Sequence, residues 1–319
     1  MSADRLITVI PVYNGERYLG ATLESVARQS RRPDRVIVQD NCSTDGTRAV
    51  FEPYSKLGFE WCPNERHITS TENFNHALRL AAETDVLHLL TADDLIKPDF
   101  YERVAAPFSG VKGLALSYSA YEVIDSKGSL MAGGDLSCPF AVTEKGEAVE
   151  ISREAFILTQ ADLRTICLPA VLIKTNRQLL HTSFRMDFIG SADVVFYAEI
   201  ASRAEMIFEV RAALCQYRRH AETTTSRNLK SPAAVVADEW KAIQSIAPLI
   251  GWPSFRKWVW WQRQRCLIAA RSKMMAMQNE PDKIQEICDA GRQVAGPIHW
   301  GLGNLAVALK KVSRQIRGL

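Results

Sequence analysis

From Arg5 to about Phe108, short apolar runs alternate with amphipathic stretches, a pattern that predicts a mainly parallel sheet covered by helices. The run over 5–12 reads as a first strand. Leu19, Leu23 and Val26 then recur at helical spacing and predict a helix over about 16–28. A second strand over 35–39 leads to a helix starting near Thr44 or Asp45, whose short polar side chains suit an N-cap. Phe59-Glu60-Trp61 reads as a third, short strand before a polar loop. Phe74, Ala77, Leu78 and Ala81 form the apolar face of a helix over 72–83, and a strand over 86–91 follows. Pro98 suits the first turn of the next helix.

Beyond Leu114 the pattern changes. Leu114 to Val123 alternates, which predicts a longer strand with one wetter face, and Gly133-Gly134 opens a loop. A helix around 152–160, a strand around 170–174, a helix over about 193–203 and a strand over about 206–217 complete this region. From Ser231 onward the pattern is helical throughout. The chain therefore divides into an α/β domain over 1–228 and a helical region over 229–319.

Composition adds bounds. With 319 residues, 47% hydrophobic and 24% charged, the chain is ordinary for a globular protein with a sizeable core. A formal net charge of +3 is too small to imply a nucleic-acid partner. The excess is nevertheless local, because from Trp252 onward twelve bases face four acids. Seven cysteines form no C-x-x-C pair and fit a reduced, cytoplasmic setting. Neither a signal core nor an apolar run long enough to span a bilayer is visible, so a secreted or membrane-spanning protein is not expected.

Three of the apolar strands end in polar residues: Pro11-Val12-Tyr13-Asn14, Asp40-Asn41 and Asp93-Asp94. In a parallel α/β sheet, ligands bind outside the carboxyl ends of the strands, so these residues predict one shared site. An unpaired carboxylate is too costly to bury, and two adjacent acids at a strand end call for a cation or hydrogen-bond donors. No G-x-G-x-x-G follows the first strand and no G-x-x-x-x-G-K-[ST] loop exists to cradle phosphates. A divalent cation, Mn²⁺ or Mg²⁺, bridging the acids to a diphosphate would serve instead. Neighbouring side chains on an extended strand point opposite ways, so one acid can hold metal and the other a sugar hydroxyl. The alternative is that the pair only caps a turn.

In order and spacing, Val12-Tyr13-Asn14, the run Asp40 to Thr47, Asn73-Phe74-Asn75, and Ala92-Asp93-Asp94 with Pro98 resemble the motifs of family 2 inverting glycosyltransferases. The resemblance covers roughly residues 5–225. It implies the GT-A fold, a Rossmann-like mixed sheet flanked by helices as in nucleotide-diphospho-sugar transferases, here with a C-terminal helical extension. It also implies that Pro11, Tyr13 and Asp40 surround the nucleotide base and that Val12, Asn14 and Asn73 belong to the same nucleotide-sugar site. Asp93 and Asp94 would then contact ribose and metal, with Asp94 assigned to the metal. An inverting transfer needs a base for the acceptor proton. The family's acid at the start of a late helix matches Asp193, with Asp187 in reserve, although an acid in a first turn also stabilises a helix dipole without any catalytic duty. Tyr217-Arg218-Arg219-His220 resembles the family's Tyr-Arg-x-His segment, where His220 would meet the donor diphosphate; a solvated basic turn is the alternative for Arg218 and Arg219. The chain departs from the family pattern at Thr91, Asn41 and Ala192, where acids are common.

The function implied is transfer of a sugar, from a UDP-sugar first of all, to an acceptor hydroxyl on a glycan or lipid-linked glycan in bacterial surface polysaccharide synthesis. A nucleotidyltransferase and a sugar-nucleotide-binding scaffold without turnover are the alternatives. The basic, Trp-rich C-terminal helices allow peripheral contact with the inner membrane face, a homo-oligomer, or packing on the chain's own domain.

Overall fold

The computed structural model describes residues 4–80, 85–131, 142–163, 166–175, 182–220, 231–277 and 281–303. They form two units, one within Met1–Ile157, Arg164–Met186 and Phe196–His220, the other within Leu158–Leu163, Asp187–Val195 and Ala221–Leu319. The boundary expected at 228/229 lies outside the described residues.

The first unit is built on one mixed sheet. Its strands are β1 (Leu6–Val12), β2 (Arg35–Asp40), β3 (Glu60–Pro63), β4 (Val86–Leu89), β5 (Leu95–Ile96), β6 (Ala115–Ile124), β7 (Ala148–Glu150), β8 (Val171–Lys174) and β9 (Met206–Arg218). Their order is β3-β2-β1-β4-β8-β6-β9-β5, with β7 also on β9. The first four are parallel, β8 runs antiparallel between β4 and β6, and β9 is parallel to β6. Its helices are α1 (Leu19–Ala27), α2 (Thr47–Ser55), α3 (Ser70–Leu80) and α4 (Phe100–Ala105), while α5 (Arg153–Ala161) and α6 (Ala192–Arg203) contribute residues to both units. Burial explains why the apolar runs were legible: Leu6, Val9, Ile10, Val38, Leu87 and Leu90 are sealed, as are Leu19, Leu23 and Val26 on α1.

Some expectations change. β6 is buried along most of its length because strands pair with it on both edges; only Tyr121 and Glu122 keep the wetter character. Pro98 precedes α4, which begins at Phe100 after Asp99. α2 starts at Thr47, whose N–H is accepted by the Asp45 carboxylate at 3.0 Å. The start of α3 follows a Thr-x-x-Glu signature: Thr69 N–H donates to Glu72 at 2.9 Å and Glu72 N–H donates to the Thr69 hydroxyl at 3.2 Å. Gly133-Gly134 and residues 81–83 of the expected third helix lie outside the described residues.

A polar relay crosses the sheet. Pro169 offers a carbonyl, so His88 must donate to it from Nε2 at 2.9 Å; Nδ1 then accepts from the Tyr101 hydroxyl, also at 2.9 Å, and Tyr101 accepts from Thr8 at 2.7 Å. His88 is fully buried, and burial pushes its pKa down to about 4. A histidine with a depressed folded pKa contributes full stability above its unfolded value near 6.5, and that contribution is lost as pH falls towards about 4. We expect His88 alone to remove about 3 kcal/mol over that window. Urea unfolding of wild type and His88→Gln at pH 7.5 and 4.5 checks this, because the variant should lose less stability on acidification.

In the second unit, helices Pro232–Ile246, Ser254–Ala276 and Pro281–Ala295 share a core of Val236, Ile268, Ala269, Ala276, Ile287 and Ala295. Trp260 is also buried, whereas Phe255 (76% exposed) and Trp258 (58%) face outward. Among the described residues no helix is long and apolar enough to cross a membrane.

Candidate functional site

Parallel pairing sets Val12 beside Asp40 and Val9 beside Leu89, so β1, β2 and β4 deliver their carboxyl ends to one side of the sheet. The chain turns sharply there: Asn14 and Cys42 adopt left-handed φ values of 50° and 60°, a region Asn tolerates better than most residues. Side chains lace the two turns together. Asn14 N–H donates to the Ser43 hydroxyl at 2.8 Å, and Thr44 N–H donates back to the Asn14 side-chain oxygen at 2.8 Å. Asp40 is buried and accepts the Ser43 N–H at 3.2 Å. Tyr13 is 45% exposed, with its ring centroid 4.6 Å from that of His67. An open aromatic face beside a buried acid suits a nucleobase, which offers a flat ring and N–H donors.

Asn73 sits lower, as part of the scaffold. Its side-chain oxygen accepts from Gln39 and Asn64, both at 2.8 Å. Asn64 also reaches the Asn41 oxygen at 2.9 Å, and its own oxygen lies 2.8 Å from His76 Nδ1. Asn41, where the family often has a second acid, instead clamps the backbone of Ile68 through both N–H and carbonyl. The Val12 carbonyl accepts the Asn41 N–H at 2.8 Å, and Pro11 stands opposite Gln39 in the β1–β2 pairing.

The two acids after β4 have different surroundings. β5 follows them immediately and pairs antiparallel with Cys215 and Gln216 of β9, which brings the end of β9 against the acid pair. Asp94 is 1% exposed. One of its carboxylate oxygens accepts the Arg218 N–H at 2.6 Å, and the other takes the hydroxyl of Thr91. Burial first, then the charge of Asp93, raises the Asp94 pKa well above the ordinary carboxylate range, although the bonds from Thr91 and Arg218 oppose this. Thr91 thus stands in place of a third acid as a hydrogen-bond donor. Asp93 keeps 28% of its side chain exposed, and its carboxylate meets His220 Nε2 at 3.0 Å. His220 in turn lies against Tyr18, ring centroids 4.6 Å apart. Arg218 is buried, contrary to the solvated-turn alternative: its guanidinium donates to the carbonyls of Asp93 at 2.7 Å and Asp125 at 3.1 Å.

Among the described residues no group of three or more His, Cys, Asp or Glu is arranged to hold a metal alone. A divalent cation bound to one or two carboxylates commonly completes its shell with substrate phosphates and water. Asp93 fits that donor set, with an accessible carboxylate. Asp94, with both oxygens engaged and its ionisation disfavoured, fits it poorly.

Asp193 and Asp187 belong to the second unit. Asp193 opens α6 and accepts the Val194 N–H at 2.8 Å. Burial pushes its pKa up to about 6, backbone bonds hold it down in part, and the charge of Asp238 adds to the rise. Such a value suits a general base near neutral pH. Asp187 is exposed and ion-paired to Lys241 at 2.6 Å. Asp238 was not visible as a site residue in the sequence: it lies on helix Pro232–Ile246 and accepts the N–H groups of Ile189, Gly190 and Ser191 at 2.8, 3.0 and 2.9 Å. It therefore fixes the turn that leads into Asp193. Replacing Asp238 by Asn keeps the shape but removes a negative charge, so the Asp193 pKa should fall and the acidic limb of any activity profile should move to lower pH. Replacing it by Ala leaves three donors without their acceptor, and we expect a loss of about 2–4 kcal/mol by calorimetric unfolding.

Residues 8–125 match the model of glycosyl transferase family 2. The putative teichuronic acid biosynthesis glycosyltransferase TuaG of Bacillus subtilis is 32% identical over 133 residues, 39% of this chain and 50% of that protein. The poly(ribitol-phosphate) beta-N-acetylglucosaminyltransferase TarS of Staphylococcus aureus is 29% identical over 101 residues, 31% of this chain and 18% of TarS. The chain thus spans half or less of these curated relatives. Among solved structures, residues 1–349 of S. aureus TarS in complex with UDP-GlcNAc superpose with a TM-score of 0.65 at 18% identity, covering 92% of this chain and 82% of that one. The mannosyltransferase PcManGT of Pyrobaculum calidifontis, in complex with GDP-Man and Mn²⁺, gives a TM-score of 0.54 at 14% identity, covering 98% and 88%. Residues 8–125 are thus similar to glycosyl transferase family 2, and the chain shares the GT-A fold of these solved structures.

Proposed function

We propose that this chain is an inverting glycosyltransferase that moves a sugar from a UDP-sugar to an acceptor hydroxyl of a bacterial surface glycan. The observation that carries the reading is the Asp93–His220 pair, 3.0 Å apart, beside the carboxyl ends of the strands. It offers a negative oxygen and a potential cation where a nucleoside diphosphate would lie. The base stacks on Tyr13, Asp40 accepts its N–H, and Pro11 to Asn14 supply the backbone floor. His220, charged when protonated, stabilises the negative charge that grows on the departing diphosphate. A divalent metal at Asp93, when bound, would neutralise part of that same charge. Asp193 takes the proton of the acceptor hydroxyl as its oxygen attacks the anomeric carbon. The new C–O bond forms while the bond to the diphosphate breaks and its electron pair leaves with UDP. A single displacement of this kind inverts the anomeric centre. The relatives named for teichuronic acid and poly(ribitol-phosphate) support an anionic envelope polymer as the acceptor.

Calorimetric titration with UDP, GDP and dTDP, each with and without Mn²⁺, tests the donor half. The expected result is UDP binding that Mn²⁺ strengthens. No binding of any nucleotide under any condition would remove the donor site and the proposal with it.

A further inference from the structure

The second unit carries a groove of about 580 Å³ lined by Trp240, Gln244, Trp258, Trp261, Gln262 and Arg265. The spacing explains how two helices make it: positions 240 and 244 share one face of Pro232–Ile246, and 258, 261, 262 and 265 share one face of Ser254–Ala276. Trp240 meets Trp261 edge to face with centroids 5.3 Å apart, and buried Trp260 braces Trp261 at 5.0 Å. Two indoles of the lining are thus in contact with each other, while Trp258 is more than half exposed.

We propose that this groove binds a negatively charged oligosaccharide, the acceptor chain of the transfer; this rests on the transferase reading above. Saccharide rings present flat C–H faces that pack on aromatic rings and a rim of hydroxyls that both donate and accept. Tryptophans with two amides and a guanidinium complement both features. The charge follows from Arg265. On the same helix Arg263 is paired with Asp162 at 2.8 Å and Arg271 with Glu239. Arg265 has no ion pair among the described residues, and no acid lines the groove. A guanidinium beside amides matches a carboxylate or phosphate on a sugar. The volume lies within the range of roughly 300–1,000 Å³ common for small-molecule sites and admits a short stretch of chain. A lipid surface is a poorer match, because seating the groove in acyl chains would desolvate Gln244, Gln262 and Arg265 together.

The test is binding of the full chain to an array of neutral, uronate-bearing and phosphate-bearing oligosaccharides. Wild type is compared with Trp258→Ala, Trp258→Phe and Arg265→Gln, and each sample is also titrated with UDP. The expected result is selective retention of the charged glycans, weakened about tenfold or more by Trp258→Ala, largely kept by Trp258→Phe, and shifted towards neutral glycans by Arg265→Gln, with UDP binding unchanged. Binding to no glycan, or equal binding to neutral and charged glycans that Arg265→Gln leaves alone, would overturn the proposal. So would glycan binding indifferent to Trp258→Ala while that variant dissociates a dimer or leaves phosphatidylglycerol vesicles. Loss of UDP binding in every sample would count against the transferase reading, which the array result does not decide.

Discussion

Asp193→Asn is expected to abolish sugar transfer, by about 10²–10⁴-fold in kcat, while donor binding stays at the wild-type level. Asparagine keeps the oxygen that accepts the Val194 N–H and has no basicity. In the wild type, a base with a pKa of about 6 must be deprotonated to act, so kcat/KM should fall tenfold per pH unit below that value and level off above it. The residual rate of the variant should lack that limb. Stability should move the other way. An acid whose folded pKa is raised costs stability above that pKa and ceases to cost it as pH falls below the unfolded value near 4. Neutral Asn removes the cost, so the variant should unfold at a higher temperature at pH 8 and differ little at pH 4. A purely dipolar role for Asp193 predicts the reverse: a less stable variant that still turns over. Retained turnover with an unchanged acidic limb would therefore dismiss Asp193 as the base.

How much of this was legible in the sequence depends on whether a residue's role is local. β1, β2 and β4 are legible because they are buried on both faces and so read as nearly continuous apolar runs, and α1 because Leu19, Leu23 and Val26 are sealed on one face. β5 and β7, two and three residues long, exist because β9 offers an edge to pair with, and no periodicity can show over so few positions. Arg218 reads as a surface base, yet its guanidinium is spent on two main-chain carbonyls, a fate set by a strand pairing more than 90 residues away in sequence. Asp238 is the clearest case. Nothing in Val236-Ala237-Asp238-Glu239 marks an acid that holds the turn at 189–191. The Thr69-x-x-Glu72 box, by contrast, is a local pattern, and it starts α3 at Ser70, ahead of the expected 72.

The acid pair should separate cleanly by substitution, against the assignment of the metal to Asp94 that the family pattern implies. Asp93→Asn removes the accessible charge and the ion pair with His220 while leaving the buried bonds of Asp94 intact. We expect UDP affinity in Mn²⁺ to fall about tenfold or more, the gain from Mn²⁺ to disappear, and unfolding to change little. Asp94→Asn should behave differently. Because burial and Asp93 already disfavour its charge, a neutral side chain of the same shape can still accept the Arg218 N–H. Metal-dependent UDP binding should then survive. Asp94→Ala leaves that buried N–H and the Thr91 hydroxyl without their acceptor, at a cost of about 2–4 kcal/mol, and loosens the anchor that holds the end of β9 against the acid pair. Its UDP affinity should fall with and without metal alike, because what is lost is the placement of Arg218 and His220 and not a ligand. The deciding comparison is the ratio of UDP affinities with and without Mn²⁺ in the two Asn variants. If that ratio collapses in Asp94→Asn and persists in Asp93→Asn, the metal belongs to Asp94, and the carboxylate must turn out of its bonds with Thr91 and Arg218 when the donor binds.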